Sequence, residues 1–133
     1  MSTPSDQLTA LHRRREQAII QIQTLGDFRV WRAGELIPNS AWGRDKTVQL
    51  FQFLISARHR HGLHKEQIID RIWEDADPRS GDQSFKVALH GINKVLEPDR
   101  PKRSEPRFIR RQGLTYQLDL TDVWLDLDAL EAF

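Results

Sequence analysis

Between residues 81 and 97 four apolar side chains, Phe85, Leu89, Ile92 and Leu96, recur at i, i+4, i+7 and i+11. At 100° per residue the last three fall within about 40° of Phe85, so they form one stripe of an α-helix. Pro98 stops the pattern, and its start lies near Ser80 or Gly81. Such a helix cannot stand alone in water. Its stripe must lie against other elements, so the segments before and after it decide the fold. Two more helical stretches precede it. From about Arg44 to Arg58, Val48, Phe51, Leu54 and Ile55 recur at helical spacing, and Leu50 and Phe53 widen the apolar face, which makes this helix central. After a break at Gly62, residues from about Lys65 to Trp73 place Ile68, Ile69, Ile72 and Trp73 on one side.

The segments outside the helices follow a period of two instead. Ile20, Ile22 and Thr24 alternate with Gln21 and Gln23. Beyond a turn at Gly26-Asp27, Phe28, Val30 and Arg32 alternate with Arg29 and Trp31. Ala33-Gly34-Glu35 is a second turn, and Leu36-Ile37 begins a short third strand ended by Pro38. These predict a three-stranded antiparallel meander. After the last helix comes a charged, Pro-rich loop, Asp99 to Pro106. Phe108-Ile109 and Leu114 to Leu120 then read as a hairpin around a turn at Arg110-Arg111-Gln112-Gly113. Residues 1–16 are polar and read as a flexible tail or a short helix. Residues 17–120 read as one domain. Residues 121–133 read as an acidic exit segment whose end, Ala129 to Phe133, resembles the first turn of a helix continuing into a further domain.

The chain has 133 residues, enough for one core without metals or disulfides, and it has no cysteine. No run approaches the roughly 20 apolar residues of a membrane span, and the polar Met1–Gln7 start lacks a signal-peptide core. A cytoplasmic protein is expected. The net charge of +1 conceals an uneven distribution. Residues 117–133 carry five acids and no Lys or Arg, and residues 1–116 carry 20 basic against 14 acidic residues. Two basic clusters stand out, Arg58-His59-Arg60-His61 through His64-Lys65, and Arg100 to Arg111. Such clusters are either phosphate footprints or ordinary solvated loops.

The order of elements is more specific than any one of them. An α+β chain with two short helices joined by a turn and followed by a basic β-hairpin has the parts of a winged helix-turn-helix. In that architecture the second helix of the pair enters the DNA major groove. Opposite its apolar stripe the last helix carries Gln83, Val87, His90 and Lys94, with Lys86 and Gly91 at the borders. Gln and Lys can read adenine and guanine edges, and Val87 can touch a thymine methyl. Arg110, Arg111 and Gln112 of the hairpin wing, together with Arg44, Lys46, His64 and Lys65, are the candidate contacts to the DNA backbone and minor groove.

Six segments in this order carry a family resemblance. They are Thr24-Leu25-Gly26-Asp27-Phe28-Arg29-Val30-Trp31, Trp42 with Arg44 and Lys46, Ile68 through Asp75, Val87 through Pro98, Phe108 through Leu118, and Val123 through Asp128. Over about residues 20–133 the chain resembles the OmpR-like winged-helix domain of the Streptomyces antibiotic regulatory protein type. The resemblance implies sequence-specific binding of promoter double-stranded DNA by a transcriptional activator. It also implies recruitment of RNA polymerase, tandem copies on direct repeats, and a following helical-repeat activation domain. The chain departs from the family at Gly91 and Asn93, where an Arg is usual, and at Gln112, near the place of a wing arginine.

Other chemistries have little support. His59, His61 and His64 lie close together, but their Arg and Lys neighbours repel a cation, so no metal and no cofactor is expected. Asp126 and Asp128 alternate with Leu125 and Leu127 as in a half-buried strand or turn, with no acid-base partner. No serine elbow or phosphate-cradling glycine motif is present, and no enzyme activity is expected. Trp31, Trp42, Trp73 and Trp124 read as packing residues, although Trp42 beside Gly43 can alternatively lie near a DNA backbone. The alternatives to DNA binding are a winged helix used for protein–protein contact, with its basic loops facing an acidic partner, and RNA binding.

Overall fold

The computed structural model describes residues 3–131, without the side chains of Leu11 and His12. Residues 1–2 of the expected tail and 132–133 of the expected terminal helix lie outside the described residues. The chain divides into two compact units, one built from both ends (up to Ile37 and from Leu120) and one spanning Pro38–Asp119. Both mix helix and sheet, so the α+β class holds.

In the first unit β1 (Ile20–Gln23) pairs antiparallel with β2 (Arg29–Arg32), and β2 with β3 (Glu35–Leu36). The three expected strands are therefore present, but the sheet has a fourth. Val123–Leu125 forms β7, parallel to β1, with Ile20 opposite Val123 and Ile22 opposite Leu125. Two-residue periodicity explains the core, since Ile20, Ile22, Val30 and Leu125 are all buried. The acidic exit segment is thus part of a sheet. Its next residue, Asp126, opens α5 (Asp126–Glu131). The carboxylate of Asp126 accepts from Thr24 N–H and Leu25 N–H, both at 2.9 Å, and from the Thr24 hydroxyl at 2.8 Å. Pro4–Gln17 is helix α1, the second of the two readings of that segment, capped by Thr3 and Asp6 in a reciprocal capping box. Near its end the Arg15 guanidinium lies over the rings of Trp31 at 5.5 Å and Trp124 at 5.0 Å.

The second unit centres on α2 (Asp45–Ser56), which buries Thr47, Leu50, Phe51, Leu54 and Ile55. Val48 and Phe53, expected in the core, are only half-buried. Trp42, in a short 3₁₀ turn, stacks on Phe51 at 5.3 Å, which settles its role as packing. Then follow β4 (Leu63–His64), α3 (Lys65–Ile72), α4 (Pro78–Leu96), β5 (Ile109–Gln112) and β6 (Thr115–Leu118). The sheet order is β4-β6-β5. The short strand β4 had no sequence signal, because two residues are too few to show alternation. α4 starts earlier than its apolar stripe suggests: Asp77 caps Ser80 N–H at 2.9 Å and Pro78 holds the first turn. Phe85 of α4 meets Tyr116 of β6 edge-on at 5.0 Å. No helix among the described residues is long and apolar enough to cross a membrane.

Candidate nucleic-acid interface

α3 and α4 approach closely because Gly81 lies where they meet. A Cβ there would stand 2.7 Å from the Ile69 Cγ2, inside any allowed contact. The turn between the helices is closed by Trp73 N–H to Ile69 O at 2.7 Å and Ala76 N–H to Trp73 O at 3.0 Å. Behind the pair α4 buries Phe85, Ala88, Ile92, Val95 and Leu96. Leu89, expected in the stripe, is half-buried at its margin.

The opposite side of α4 is open. Gln83, Lys86, Val87, His90 and Lys94 are all exposed, and 100° per residue places them on an arc of about 100°. Val87 is 47% exposed, an apolar side chain on an otherwise polar face. Arg79 shares the arc and is exposed. The apolar stripe alone starts the helix at Ser80 or Gly81 and leaves Arg79 outside it, whereas Asp77-Pro78 is the helix-start signature that includes it. Gly91 does not belong to this face. A Cβ at Gly91 would lie 3.2 Å from the Thr47 Cγ2 of α2. The absent side chain serves helix packing, which corrects its reading as a base contact.

Of the remaining candidates, Lys46, His64 and Lys65 have structural partners at the ends of α3. Lys46 Nζ donates to Ile72 O at 2.8 Å and caps the end of α3. His64 caps its start, Nδ1 accepting from Glu66 N–H at 3.1 Å while Gln67 reaches back to the His64 N–H. Lys65 is bound to Asp82 of α4, Nζ to Oδ1 at 2.5 Å, and Lys86 reaches the other oxygen of Asp82 at 3.1 Å. The bonds from Lys65 and then Lys86 hold the Asp82 carboxyl below the usual carboxylate range. Arg44 stands exposed at the N-cap of α2. The first basic cluster therefore disperses: Arg58 is buried and donates to Ile55 O at 3.0 Å.

In the hairpin the turn is Gly113-Leu114, with Gly113 at φ +62°. The expected turn residues Arg110, Arg111 and Gln112 belong to β5 instead, because the strand runs to Gln112 opposite Thr115. All three are exposed. Directly opposed residues share a face of an antiparallel pair. Arg111, opposite Tyr116, therefore leaves from the face that Tyr116 turns toward Phe85 of α4. Arg110, opposite Gln117, leaves from the other face. Arg110 Nε bonds Asp119 at 3.1 Å, and Arg111 Nε donates to Gly113 O at 2.8 Å.

No protein-family model and no curated protein sequence matches the chain. Among solved structures it resembles part of Mycobacterium tuberculosis EmbR, solved in complex with a low-affinity phosphopeptide, with a TM-score of 0.58 and 16% identity. The two share a fold. The match covers 80% of this chain and 27% of that one, so the chain spans about a quarter of the EmbR chain's length.

Proposed function

We propose that Pro38–Asp119 is a winged helix-turn-helix that binds promoter double-stranded DNA as part of a bacterial transcriptional activator, with no catalytic activity of its own. The observation that carries the reading is the exposed arc of α4. It sets Arg79, Gln83, Lys86, Val87, His90 and Lys94 on one face of a helix held from behind by α2, α3 and β6. A helix so supported, with a two-stranded hairpin following it, fits a major groove, and its side chains are competent to read base edges. Exposed Arg44, Arg110, Arg111 and Gln112 supply contacts to the backbone and flanking minor groove.

The fold likeness to EmbR and the six-segment resemblance to the antibiotic regulatory protein type support a regulatory setting. RNA polymerase is the proposed protein partner, direct-repeat DNA occupied by tandem copies the proposed target, and the cytoplasm the proposed location. The test is duplex binding across a salt series. Phosphate contacts give a log–log slope of about −0.9 per contact. No duplex binding at about physiological ionic strength moves the reading to a protein-contact module, and tighter binding of the matching RNA moves it to RNA.

A further inference from the structure

Asp82 is the sole acid within α4, and it adjoins the arc proposed to face DNA. A carboxylate there works against DNA affinity, because it repels phosphate. It is nevertheless bonded from two elements, by Lys65 from the first turn of α3 at 2.5 Å and by Lys86 one turn further along α4 at 3.1 Å. The side-chain exposures are 24% for Lys65, 31% for Asp82 and 65% for Lys86. The three together present one positive charge where two lysines alone would present two.

We infer that Asp82 is a positioning residue that sets sequence specificity: it fixes the directions of Lys65 and Lys86 and withholds one positive charge from indiscriminate phosphate contact. The inference rests on the DNA-binding reading above. Non-specific affinity grows with the number of cations free to displace counterions. Discrimination between bases grows with donors held in one geometry. A lysine on a flexible four-carbon stem follows any phosphate within reach. Tied to Asp82, it meets only a duplex that fits the helix. The carboxylate thus weakens the wrong complexes more than the right one.

Asp82→Asn tests this with two duplexes, one that the parent chain selects from a random pool and a scrambled duplex of the same length and composition. One released cation making one phosphate contact raises scrambled-duplex affinity by up to about eightfold at about 0.1 M salt and steepens the log–log slope by up to about 0.9. Binding to the selected duplex gains less, so the ratio of the two affinities falls. Asp82→Glu keeps the charge and restores the ratio and slope. An Asn variant with unchanged ratio and slope, or one that loses affinity equally for both duplexes, overturns the inference while leaving the DNA-binding reading intact. A parent chain that selects nothing from the pool overturns both. Should the Asn variant melt early, Lys65→Gln reads the same arrangement from the other side. With Asp82 left to Lys86, its slope flattens by clearly less than the about 0.9 of a free phosphate contact, and a full-sized loss overturns the inference.

Discussion

The two units use charge in opposite ways. In the end-built unit, charge works inside the structure. Arg15 lies over two indoles, and Asp126 collects three donors from the β1–β2 turn. In the Pro38–Asp119 unit, the cations of α4 and the hairpin stand exposed on a supporting core. The sequence carries basic runs in both, Arg13-Arg14-Arg15 in one and Arg110-Arg111 in the other. Density of charge therefore does not mark a ligand surface. What sets α4 apart is that exposed basic and polar side chains converge on one face of a helix whose other side is packed.

The largest effect that separates the units belongs to the open face of α4. Gln83→Ala and Lys94→Ala are each expected to cost about 1–3 kcal/mol of discrimination at the base they read, and to change the preferred site. Thermal melts should stay put, because neither side chain is buried. Selection of the same sequences by both variants would remove α4 as the reader and with it the contrast between the units.

Asp126→Asn probes the other side of the comparison and is expected to cost about 1–2 kcal/mol through weakened hydrogen bonds, with duplex affinity per folded molecule unchanged. Partial burial raises the Asp126 carboxyl, but the hydrogen bonds from Leu25 N–H, the Thr24 hydroxyl and N–H, and Leu127 N–H outweigh it and hold the carboxyl below its ordinary value. The sign follows. The folded state favours the carboxylate, so its contribution is complete above the unfolded value of about 3.9 and is lost as pH falls through the lower folded value. Urea melts of parent and variant should differ at neutral pH and converge in acid. A constant difference down to acid pH would deny Asp126 its role.

The hairpin offers a comparison within one strand. Arg111 leaves β5 on the face nearer α4, and Arg110 leaves on the other, bonded to Asp119. Arg111→Ala should flatten the salt slope by about 0.9 and lower affinity most on A·T-rich flanks, where the narrow groove attracts arginine. Arg110→Ala should do less on both counts. Equal losses would mean that the tie to Asp119 breaks on binding.

The helices were legible because the stripes of Phe85, Ile92 and Leu96, and of Phe51, Leu54 and Ile55, span several turns. The exposed arc followed from the same periodicity, so Gln83, Lys86, Val87, His90 and Lys94 emerged together. What escaped depends on tertiary pairing. β7 carries only three residues and its partner β1 lies some hundred positions away, a relation no local pattern encodes. The partners of Lys46, His64 and Lys65 likewise depend on which helix end or carboxylate lies beside them. The extent of β5 is not legible in the sequence because Arg110-Arg111-Gln112-Gly113 has turn-like composition, and only the register with Thr115, Tyr116 and Gln117 shows that the first three belong to the strand.

The smallest expected effect tests the one arc residue that packing reassigns. Gly91→Ala adds a methyl group in mid-helix, where alanine is favoured over glycine by about 1 kcal/mol. Against this, the new Cβ meets the Thr47 Cγ2 at 3.2 Å, closer than comfortable contact. Thr47 is buried on α2 with little room to withdraw, and crowding a packed core costs about 1–3 kcal/mol where neighbours cannot move. The two terms oppose each other, and because the overlap is only a few tenths of an ångström the net change in stability should stay within about 1 kcal/mol of the parent. DNA selection should not change at all, since the methyl points to α2 and away from the open arc. A Gly91→Ala variant that folds like the parent yet selects a different sequence would return Gly91 to the interface. It would also show that α4 presents a wider surface to DNA than its exposed side chains define.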